Sequence, residues 1–589
     1  MKEQWILNGR QADFTRIAGE LSVPPLAVKL MVNRGIEEKD MRGFLSGSLS
    51  QLSDPYLMKD MKKACDILLT AAENYDTVAI VTDYDCDGIF SGMILYTCFN
   101  RIGIRCKLFT PDRVTEGYGL NKRIIDEAYN MGINYLITCD NGIAAKDEVS
   151  YAKSLGMTVI ITDHHEVPFT LNDECKEYIL PNADAVIDAK QEDCAYPFKG
   201  LCGAGVVYRM ACALYDKNRI EKNELEVLLM YAAVATVADI MELTGENRII
   251  VKEGLKLLSH TDNLGLKAIK QVNDLSDVGI TPYHIGFVIG PCFNAAGRLE
   301  NVEPAFELLM SDDESAAYNR ALELKKLNEY RKDMTEEGAE RALAMAMEPE
   351  NAACNVLVLY LKDCHESLIG IIAGRVKDRV HKPVIIFTDA SDNTYKGSGR
   401  SIEAYSMFDE LIRVKELFVK FGGHRMAAGM TIPKENFNVL RERLNKNETL
   451  TKKELTPIVR IDAEVLIRHM SIPVVESFAL LEPFGNGNPK PLFAGKHFNI
   501  RQARIIGRNK NVLKCTISDT ENNVCDALYF GDIEGFINTI EMRYGIEEKD
   551  KMLRGAQNNT DVALAFNAEI NEYNGLKSVQ LIIQNYCIL

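Results

Sequence analysis

Short β-rich runs alternate with helical segments between residues 77 and 162, and this alternation constrains the fold more than any other feature of the chain. Four runs have the composition of strands, at 77–82, 105–110, 134–139 and 158–162. Helical patterns lie between them, at 121–131 and 144–155. Strands that alternate with helices at this spacing predict a parallel sheet. We therefore expect an α/β fold whose ligand site lies at one edge of that sheet.

Acidic residues and histidines follow three of these four runs. Asp83, Asp85 and Asp87 follow the first run, Asp140 follows the third, and Asp163, His164, His165 and Glu166 follow the fourth. Since the carboxyl ends of parallel strands meet at one edge, at least five carboxylates and two imidazoles should converge on one crevice. Clustered carboxylates stay ionised only when cations compensate them. An oxygen-rich set with one or two imidazoles suits Mn²⁺ or Mg²⁺ better than zinc, and a pair of such ions can hold a phosphate.

Two simpler interpretations compete with a metal centre. A single Asp at a strand end is usually a helix cap or a turn residue. The acids at 83, 85 and 87 also match the start of an EF-hand calcium loop, but its twelfth position, which requires Glu, is Ile94. Three acidic strand ends in one block favour a metal centre over both interpretations.

The composition changes several times along the rest of the chain. This agrees with its length, because 589 residues predict about four domains. We expect a helical segment at 1–55, the parallel-sheet domain at 56–260 and a helical connector at 261–345. A smaller α/β domain is expected at 346–450, with strands at 355–361 and 383–388 around a helix at 368–379. Short strands at 498–505, 511–518 and 524–529 indicate a small β-barrel, of the OB type, within 451–589.

Composition bears on location and on partners. No run of 18 apolar residues and no signal-peptide pattern occurs, and the fifteen cysteines include no C-x-x-C pair, so we expect no membrane span and a reducing cytoplasm. The net charge of −16 argues against nucleic acid as a partner unless a local basic surface exists.

Such a basic surface is expected between Glu482 and Asp519, where no acidic residue occurs. The segment contains Lys490, Lys496, Arg501, Arg504, Arg508, Lys510 and Lys514, interleaved with Phe484, Phe493 and Phe498. On an OB-type barrel, basic side chains can track phosphates. We expect most of the phenylalanines to be core, and we assign DNA contacts to Arg501, Arg504, Arg508 and Lys510.

The triplet Asp163-His164-His165, together with Asp85, Asp87 and Asp140, resembles the DHH phosphoesterase superfamily. The string Asp83-Tyr84-Asp85-Cys86-Asp87-Gly88 is similar to its RecJ branch. Four further stretches resemble that branch, at 113–120, 201–205, 294–298 and 422–429. The last of these is the hallmark of the accessory domain, called DHHA1, that follows the DHH catalytic domain. The resemblance runs from about residue 55 to the end of the chain.

This resemblance implies residue roles that spacing alone does not supply. The metal ligands would be Asp85, Asp87, Asp140, His164 and Asp239. Asp83 and Asp163 would orient those ligands, and His165 would face the scissile phosphate or assist the leaving group.

Residues that bind a 5′-phosphate are implied in the same way: Arg113, Arg298, Ser398 and Arg400. Arginine forks bind phosphate with two hydrogen bonds, and glycines let backbone N–H groups approach an anion. Gly423 and His424 would hold the nucleic-acid backbone; alternatively, their glycine-rich string only lets a helix pack tightly against a sheet.

The activity implied is 5′-to-3′ exonuclease hydrolysis of single-stranded DNA with two Mn²⁺ or Mg²⁺ ions, in DNA repair and recombination. A channel between the two α/β domains would exclude duplex DNA without any base contact. A monomer is expected, with single-strand-binding protein or a helicase as candidate partners. The alternatives are a phosphodiesterase for short oligonucleotides or cyclic dinucleotides, which would not need the basic barrel, and a non-catalytic nucleic-acid-binding scaffold, which would not need every acid of the motifs.

Overall fold

The computed structural model describes residues 3–113, 116–172, 175–390, 393–507 and 509–589. These residues form two compact units. One comprises 49–241 and 249–457, and the other comprises 3–48, 242–248 and 458–589. No helix in the described part of the chain is both long enough and apolar enough to cross a membrane.

The N-terminal segment begins with a strand and continues as three helices. These are β1 (Gln4–Leu7), α1 (Phe14–Leu21), α2 (Pro25–Asn33) and α3 (Glu38–Ser46). Asp13 caps α1 by accepting a 3.0 Å hydrogen bond from the Arg16 backbone N–H. The helices agree with the sequence prediction, but β1 does not, because this strand pairs only with residues 458–461 and its four residues carry no local strand signal.

The next block is the predicted parallel sheet. Its elements are α4 (Met61–Glu73), β2 (Thr77–Val81), α5 (Cys86–Ile102), β3 (Arg105–Phe109), α6 (Lys122–Asn130), β4 (Tyr135–Cys139), α7 (Lys146–Ser154), β5 (Thr158–Thr162), β6 (Phe169–Asn172), β7 (Cys175–Tyr178) and β8 (Ala185–Ile187). The strand order is β3-β2-β4-β5-β8, and every neighbouring pair is parallel. β2, β4 and β5 are buried over nearly their whole length, as expected for a parallel sheet with helices on both faces. β6 and β7 form a separate antiparallel hairpin.

A helical region follows the sheet. It contains α8 (Gly203–Lys217), α9 (Glu226–Ala238), α10 (Gly245–Ser259), α11 (Leu264–Val272), α12 (Pro282–His284), α13 (Gly290–Leu299), α14 (Glu303–Met310), α15 (Glu314–Met347) and α16 (Pro349–Ala352). α8 and α9 pack on the buried helix α5. α15 has 34 residues and packs against both α13 and α17 (Ile369–Val380). The connector, which was predicted to be helical, therefore contains one long helix.

The smaller α/β block has a mixed five-stranded sheet. Besides α17, it contains β9 (Leu357–Tyr360), β10 (Val384–Asp389), β11 (Thr394–Arg400), α18 (Met407–Ile412), β12 (Lys420–His424), β13 (Ala427–Pro433) and α19 (Asn436–Asn447). The order is β12-β13-β11-β10-β9. Only β9 and β10 are parallel; the other neighbours are antiparallel.

The C-terminal residues form a closed β-barrel. The elements are β14 (Ile458–Ile461), β15 (Ala463–Glu464), α20 (Ile472–Ser477), β16 (Phe493–Ile506), β17 (Val512–Ser518), β18 (Val524–Tyr529), α21 (Ile533–Tyr544), α22 (Ile546–Arg554), β19 (Val562–Tyr573) and β20 (Leu576–Ile588). The strands follow the order β16-β17-β18-β20-β19, and β19 pairs back onto β16. Phe493 and Phe498 lie in its core, as predicted, and Val28 and Met31 of α2 belong to the same hydrophobic cluster. Phe484 packs against that cluster and is partly buried.

Candidate metal centre and phosphate pocket

The carboxyl edge of the parallel sheet gathers the acids that follow its strands. His164 Nε2 lies 3.1 Å from Asp140 Oδ1 and 3.6 Å from Asp87 Oδ2. It also lies 3.8 Å from Asp239 Oδ2, at the C-terminal cap of α9. Residues from three strand ends and one helix end thus meet around one imidazole.

Three overlapping sets of side chains at this edge could each hold a cation. In each set the candidate ligand atoms all lie within 4.8 Å of one another. The sets are Asp140, His164 and His165; Asp87, His164 and Asp239; and Asp83, Asp85 and Asp140. The structure therefore brings together all five residues proposed as metal ligands. Asp83 and His165, which were assigned supporting and catalytic roles, also belong to these sets, so their side chains lie close enough to bind the same ions.

Backbone N–H groups hold these carboxylates in place. Asp85 Oδ1 caps α5 by accepting hydrogen bonds from the backbone N–H groups of Asp87 and Gly88. Asp87 accepts hydrogen bonds of 2.7 and 2.8 Å from Gly203 and Ala204, at the N-terminus of α8. A Cβ on Gly203 would come within 2.6 Å of the Asp140 Cβ, so only glycine lets α8 approach this closely. The motif at 201–205 thus fixes an acid that lies more than a hundred residues earlier in the chain.

The electrostatics of this edge favour the binding of a cation. Burial and the charge of neighbouring carboxylates raise the pKa of Asp83, Asp85 and Asp140. Burial, Asp87 and Asp85 raise the pKa of Asp239 to about 8. A bound divalent cation would reverse these shifts, because it favours the ionised carboxylates and displaces their protons.

The donor set fits a hard divalent cation. Across the three sets, five carboxylates outnumber two imidazoles, and no cysteine belongs to any of them, which suits Mn²⁺ or Mg²⁺. Asp83 Oδ1 is buried and has no hydrogen-bond partner among the described atoms. A buried acceptor without a partner costs free energy, and a cation shared with Asp85 and Asp140 would satisfy it.

His165 is held by Asp163 at the rim of the cluster. His165 Nδ1 lies 2.7 Å from Asp163 Oδ1, and 45% of the His165 side chain is exposed. Asp163 also accepts hydrogen bonds from the backbone N–H groups of Ile143 and His164, so it braces the loop as well as the imidazole. Burial lowers the pKa of His165, but the hydrogen bond and charge of Asp163 outweigh burial and raise it to about 9.

Sequence reasoning missed two residues at this site. The Tyr118 hydroxyl donates a 2.6 Å hydrogen bond to the Asp140 backbone oxygen and lies 3.1 Å from His165 Nδ1. Asp188 directly follows β8, and burial raises its pKa to about 7. The signal for Asp188 was present, because it too is an acid after a strand, but the three-residue strand is too short to stand out.

A group of basic side chains lies close to the acidic edge, which is the carboxyl edge of the parallel sheet where Asp83, Asp85, Asp87, Asp140 and Asp239 meet. Arg298 Nη1 donates a 2.9 Å hydrogen bond to the Ser367 backbone oxygen, and Arg113 lies over the Tyr84 ring at 4.7 Å. Arg400 Nη1 donates to Ser398 Oγ at 3.0 Å.

Gly370 leaves room for that last pair. A Cβ there would lie 2.8 Å from Arg400 Nη2 and 2.9 Å from Ser398 Oγ. All four residues assigned to the 5′-phosphate thus lie in the unit that contains the acidic edge.

The glycine-rich string at 422–429 forms a hairpin of β12 and β13. Gly423 (φ +148°) and His424 are exposed, and a Cβ on Gly423 would clash with the Ala427 backbone oxygen across the hairpin. A Cβ on Gly422 or Gly429 would meet open space. The alternative in which these glycines let a helix pack against a sheet is therefore wrong.

Comparison with known proteins covers most of the chain. Three family models match: "DHH family, N-terminal domain" at 77–234, "DHHA1 domain" at 354–448 and "RecJ OB domain" at 461–585. The single-stranded-DNA-specific exonuclease RecJ of Escherichia coli (strain K12) is 32% identical over 99% of both chains. The chain belongs to the RecJ family. The RecJ of Bacillus subtilis (strain 168) is also 32% identical, over all of this chain and 71% of that protein.

Solved RecJ structures share this fold. The RecJ of Thermus thermophilus in complex with Mn²⁺ superposes with a TM-score of 0.80 at 24% identity, covering 99% of this chain and 79% of that one. A second structure, an exonuclease RecJ bound to manganese, has a TM-score of 0.56 at 28% identity and covers 66% of this chain and 94% of that one.

The RecJ OB domain of this chain carries the basic segment. Arg501, Arg504 and Lys510 are exposed, and Arg508 lies outside the described residues. In contrast, Lys490 forms an ion pair with Glu569, and Lys514 lies 2.8 Å from Asp526. These two lysines are therefore partly neutralised.

Proposed function

We propose that this chain is an exonuclease that hydrolyses single-stranded DNA from its 5′ end and releases nucleotides, in DNA repair and recombination. One observation carries the proposal. Five carboxylate and imidazole side chains that could bind a metal ion meet at one sheet edge, in a chain 32% identical to RecJ exonucleases over its full length.

Asp85, Asp87, Asp140, His164 and Asp239 would hold two Mn²⁺ or Mg²⁺ ions, with Asp83 at their margin. When bound, such ions supply charge neutralisation at the scissile phosphate and an activated water. The protein's contribution is to fix the carboxylates through the backbone N–H groups of α5 and α8. This pre-organisation lets ligands of like charge stay together before the substrate arrives.

His165 is the proposed proton-transfer and charge-stabilising residue. Its Nδ1 is engaged with Asp163 at 2.7 Å, whereas the contact of Nε2 with the Tyr118 hydroxyl is longer, at 3.4 Å, so Nε2 is the nitrogen that would face a phosphate or a leaving oxygen. The Tyr118 hydroxyl limits rotation of the ring from one side, with an edge-on ring contact at 5.5 Å. A residue held in this way keeps its geometry through a reaction cycle.

Selection of single strands would rest on contacts to the backbone rather than to the bases. We propose that Arg113, Arg298, Ser398 and Arg400 hold the 5′-phosphate, with Gly423 and His424 against the strand. Arg501, Arg504, Arg508 and Lys510 of the OB barrel would bind more distant phosphates. Sequence-independent binding is the expected result of such contacts.

We also propose the domain roles given by the sequence: an N-terminal helical segment at 1–55, a catalytic domain at 56–260, a connector at 261–345, an accessory domain at 346–450 and an OB domain at 451–589. A monomer in a reducing cytoplasm fits the cysteines. None of the fourteen whose side chains the structure describes forms a disulfide. Single-strand-binding protein or a helicase are the proposed protein partners.

End-labelled strands test this function directly. Single strands labelled at the 5′ or the 3′ end, with and without a 5′-phosphate, would be digested in Mn²⁺ and in Mg²⁺. A 5′-to-3′ exonuclease releases a 5′ label at once as a mononucleotide and shortens 3′-labelled strands progressively. Cleavage of dinucleotides alone, or no cleavage in either metal, would contradict the proposal.

A further inference from the structure

The basic group beside the acidic edge is larger than the four residues considered so far. Arg331, on the connector helix α15, and Arg375, on α17, also belong to it. Neither residue was singled out by a motif. Both lie in the same compact unit as Arg298 and Arg400.

Arg331 is unusual because it is a buried cation without a counter-charge. Only 8% of the residue is exposed. Its Nε and Nη2 donate hydrogen bonds of 3.1 and 2.9 Å to Asn328 Oδ1, a neutral acceptor one turn earlier on the same helix. It forms no ion pair with a carboxylate of the described residues. Burying an arginine without a paired charge is costly, so an anion that binds at this position would lower the free energy of the complex.

Arg331 lies on the helix that packs against both the helix of Arg298 and the helix of Arg375. Arg331 lies two turns before Gly338 on the buried face of α15. A Cβ on Gly338 would lie 2.5 Å from Ile372 Cδ1, so α15 and α17 approach closely at this face. Arg375 follows Ile372 by one turn of α17 and is exposed. α13, which carries Arg298, also packs on α15.

The charges of these arginines act on one another. Burial, Arg113 and Arg331 lower the pKa of Arg298 to about 10. Burial and the charge of Arg375 lower the pKa of Arg331. Among the described residues, none of Arg298, Arg331, Arg375 and Arg400 forms an ion pair with a carboxylate. Positive charge is therefore concentrated at the junction of α13, α15 and α17, although the chain as a whole carries −16.

We propose that Arg331 and Arg375 complete, with Arg298 and Arg400, an anion site that selects a doubly charged terminal phosphate over a singly charged internal one. A terminal phosphomonoester carries about −1.5 to −2 charges at neutral pH, whereas a phosphodiester carries one. An additional cation therefore favours a phosphorylated end over both an internal phosphate and a 5′-hydroxyl end. The inference depends on the proposed function, because it assigns the recognition of the strand end to residues of the connector helix.

Equilibrium binding without metal tests this site apart from cleavage. Two oligonucleotides of one sequence, labelled at the 3′ end and carrying either a 5′-phosphate or a 5′-hydroxyl, would be titrated in EDTA and followed by fluorescence anisotropy. We expect R331M to reduce the preference for the 5′-phosphate about tenfold, the size of one charge-assisted contact. R375Q should reduce it less, because Arg375 is exposed to solvent.

Matched variants control for general effects of charge. Lys326 is exposed on the same helix as Arg331, and Arg379 is exposed one turn after Arg375. K326M and R379Q should keep the full preference. R331K, which keeps the charge but loses the planar fork, should show an intermediate preference.

Thermal unfolding distinguishes a binding role from a structural one. Since Arg331 is buried without a counter-charge, R331M should melt no lower than the wild-type protein. A lower melting temperature with equal loss of affinity for both oligonucleotides would identify a structural role and overturn the inference. Full retention of the preference in R331M and R375Q would overturn it too. If the wild-type protein bound and cleaved no single strand at all, the proposed function itself would fail.

Discussion

Two regions of the same compact unit concentrate like charges that the protein does not neutralise. At the carboxyl edge of the parallel sheet, acids gather around His164, and the pKa values of Asp140 and Asp239 are raised. At the junction of α13, α15 and α17, arginines gather without an ion pair to a carboxylate of the described residues, and the pKa values of Arg298 and Arg331 are lowered. In each region, an ion of the opposite sign would reduce the repulsion between these like charges. The comparison indicates that neither region is neutralised by the protein's own side chains; in the proposed function, divalent cations balance the first and a phosphate of the DNA strand balances the second.

The two regions differ in how they are constructed. The acids occupy strand ends, and backbone N–H groups of α5 and α8 hold their oxygens. The arginines come from helices and strands of two α/β blocks and the connector between them. We therefore expect the acidic edge to act on catalysis and the arginines to act on the choice of substrate end.

Loss of one acidic ligand should have the largest effect. Asp140 belongs to two of the three candidate cation sets. D140A should lower kcat at least about 10³-fold, because a lost ligand exceeds the roughly 10- to 100-fold contribution of a supporting residue. Single-strand binding should persist, as measured by anisotropy. D147A, at an exposed acid on α7, is the control, and cleavage by D140A at the wild-type rate would remove the acidic edge from the mechanism.

Replacement of His165 should have the second-largest effect. H165A should lower kcat about 100-fold with little change in KM, since proton transfer and charge stabilisation act in the transition state. Y118F keeps the ring but loses the hydroxyl that contacts His165, so a smaller loss is expected. Single-turnover cleavage rates in Mn²⁺ measure both. If H165A changed only KM, His165 would have a binding role instead.

Replacement of Arg298 tests whether the arginines act on substrate binding while the acidic edge acts on catalysis. R298M should raise KM for a 5′-phosphorylated strand about tenfold and leave kcat nearly unchanged. For a strand with a 5′-hydroxyl the effect should be small. Steady-state kinetics on both strands, with K326M as the control, measure the difference. A fall in kcat equal for both ends would mean that Arg298 belongs with the catalytic acids.

The smallest effect is expected at the OB barrel. R504Q removes one exposed charge from β16. It should weaken binding of long single strands only a few-fold, and should make the slope of log affinity against log salt shallower by about 0.7, as for one phosphate contact on a single strand. K551Q, on α22, is the control. An unchanged slope would remove Arg504 from the strand-binding surface.

Much of the acidic edge could be predicted from the sequence, because strands and the acids that follow them are adjacent in the chain. Asp85, Asp140 and His164 each follow a β-rich run. Asp239 could not be found in this way, since it ends an apolar helix and reaches the site only through the packing of α9 on α5. Resemblance to known proteins supplied that residue.

Features that depend on pairing between distant segments were not predictable. β1 pairs with residues more than 450 positions later. Arg331 resembles any other basic residue of a long charged helix until α13 and α17 pack on that helix and Arg331 becomes buried. Even the glycine-rich string at 422–429, although recognised as a motif, did not reveal that it forms a hairpin.

Binding of Mn²⁺ to the protein alone tests the central claim most directly. Calorimetric titration of the wild-type protein should give two ions per chain, and D140N should lose at least one of them. D147N should bind like the wild-type protein. Absence of binding to the wild-type protein, or unchanged binding to D140N, would contradict the claim that the acidic strand ends meet in order to hold metal ions.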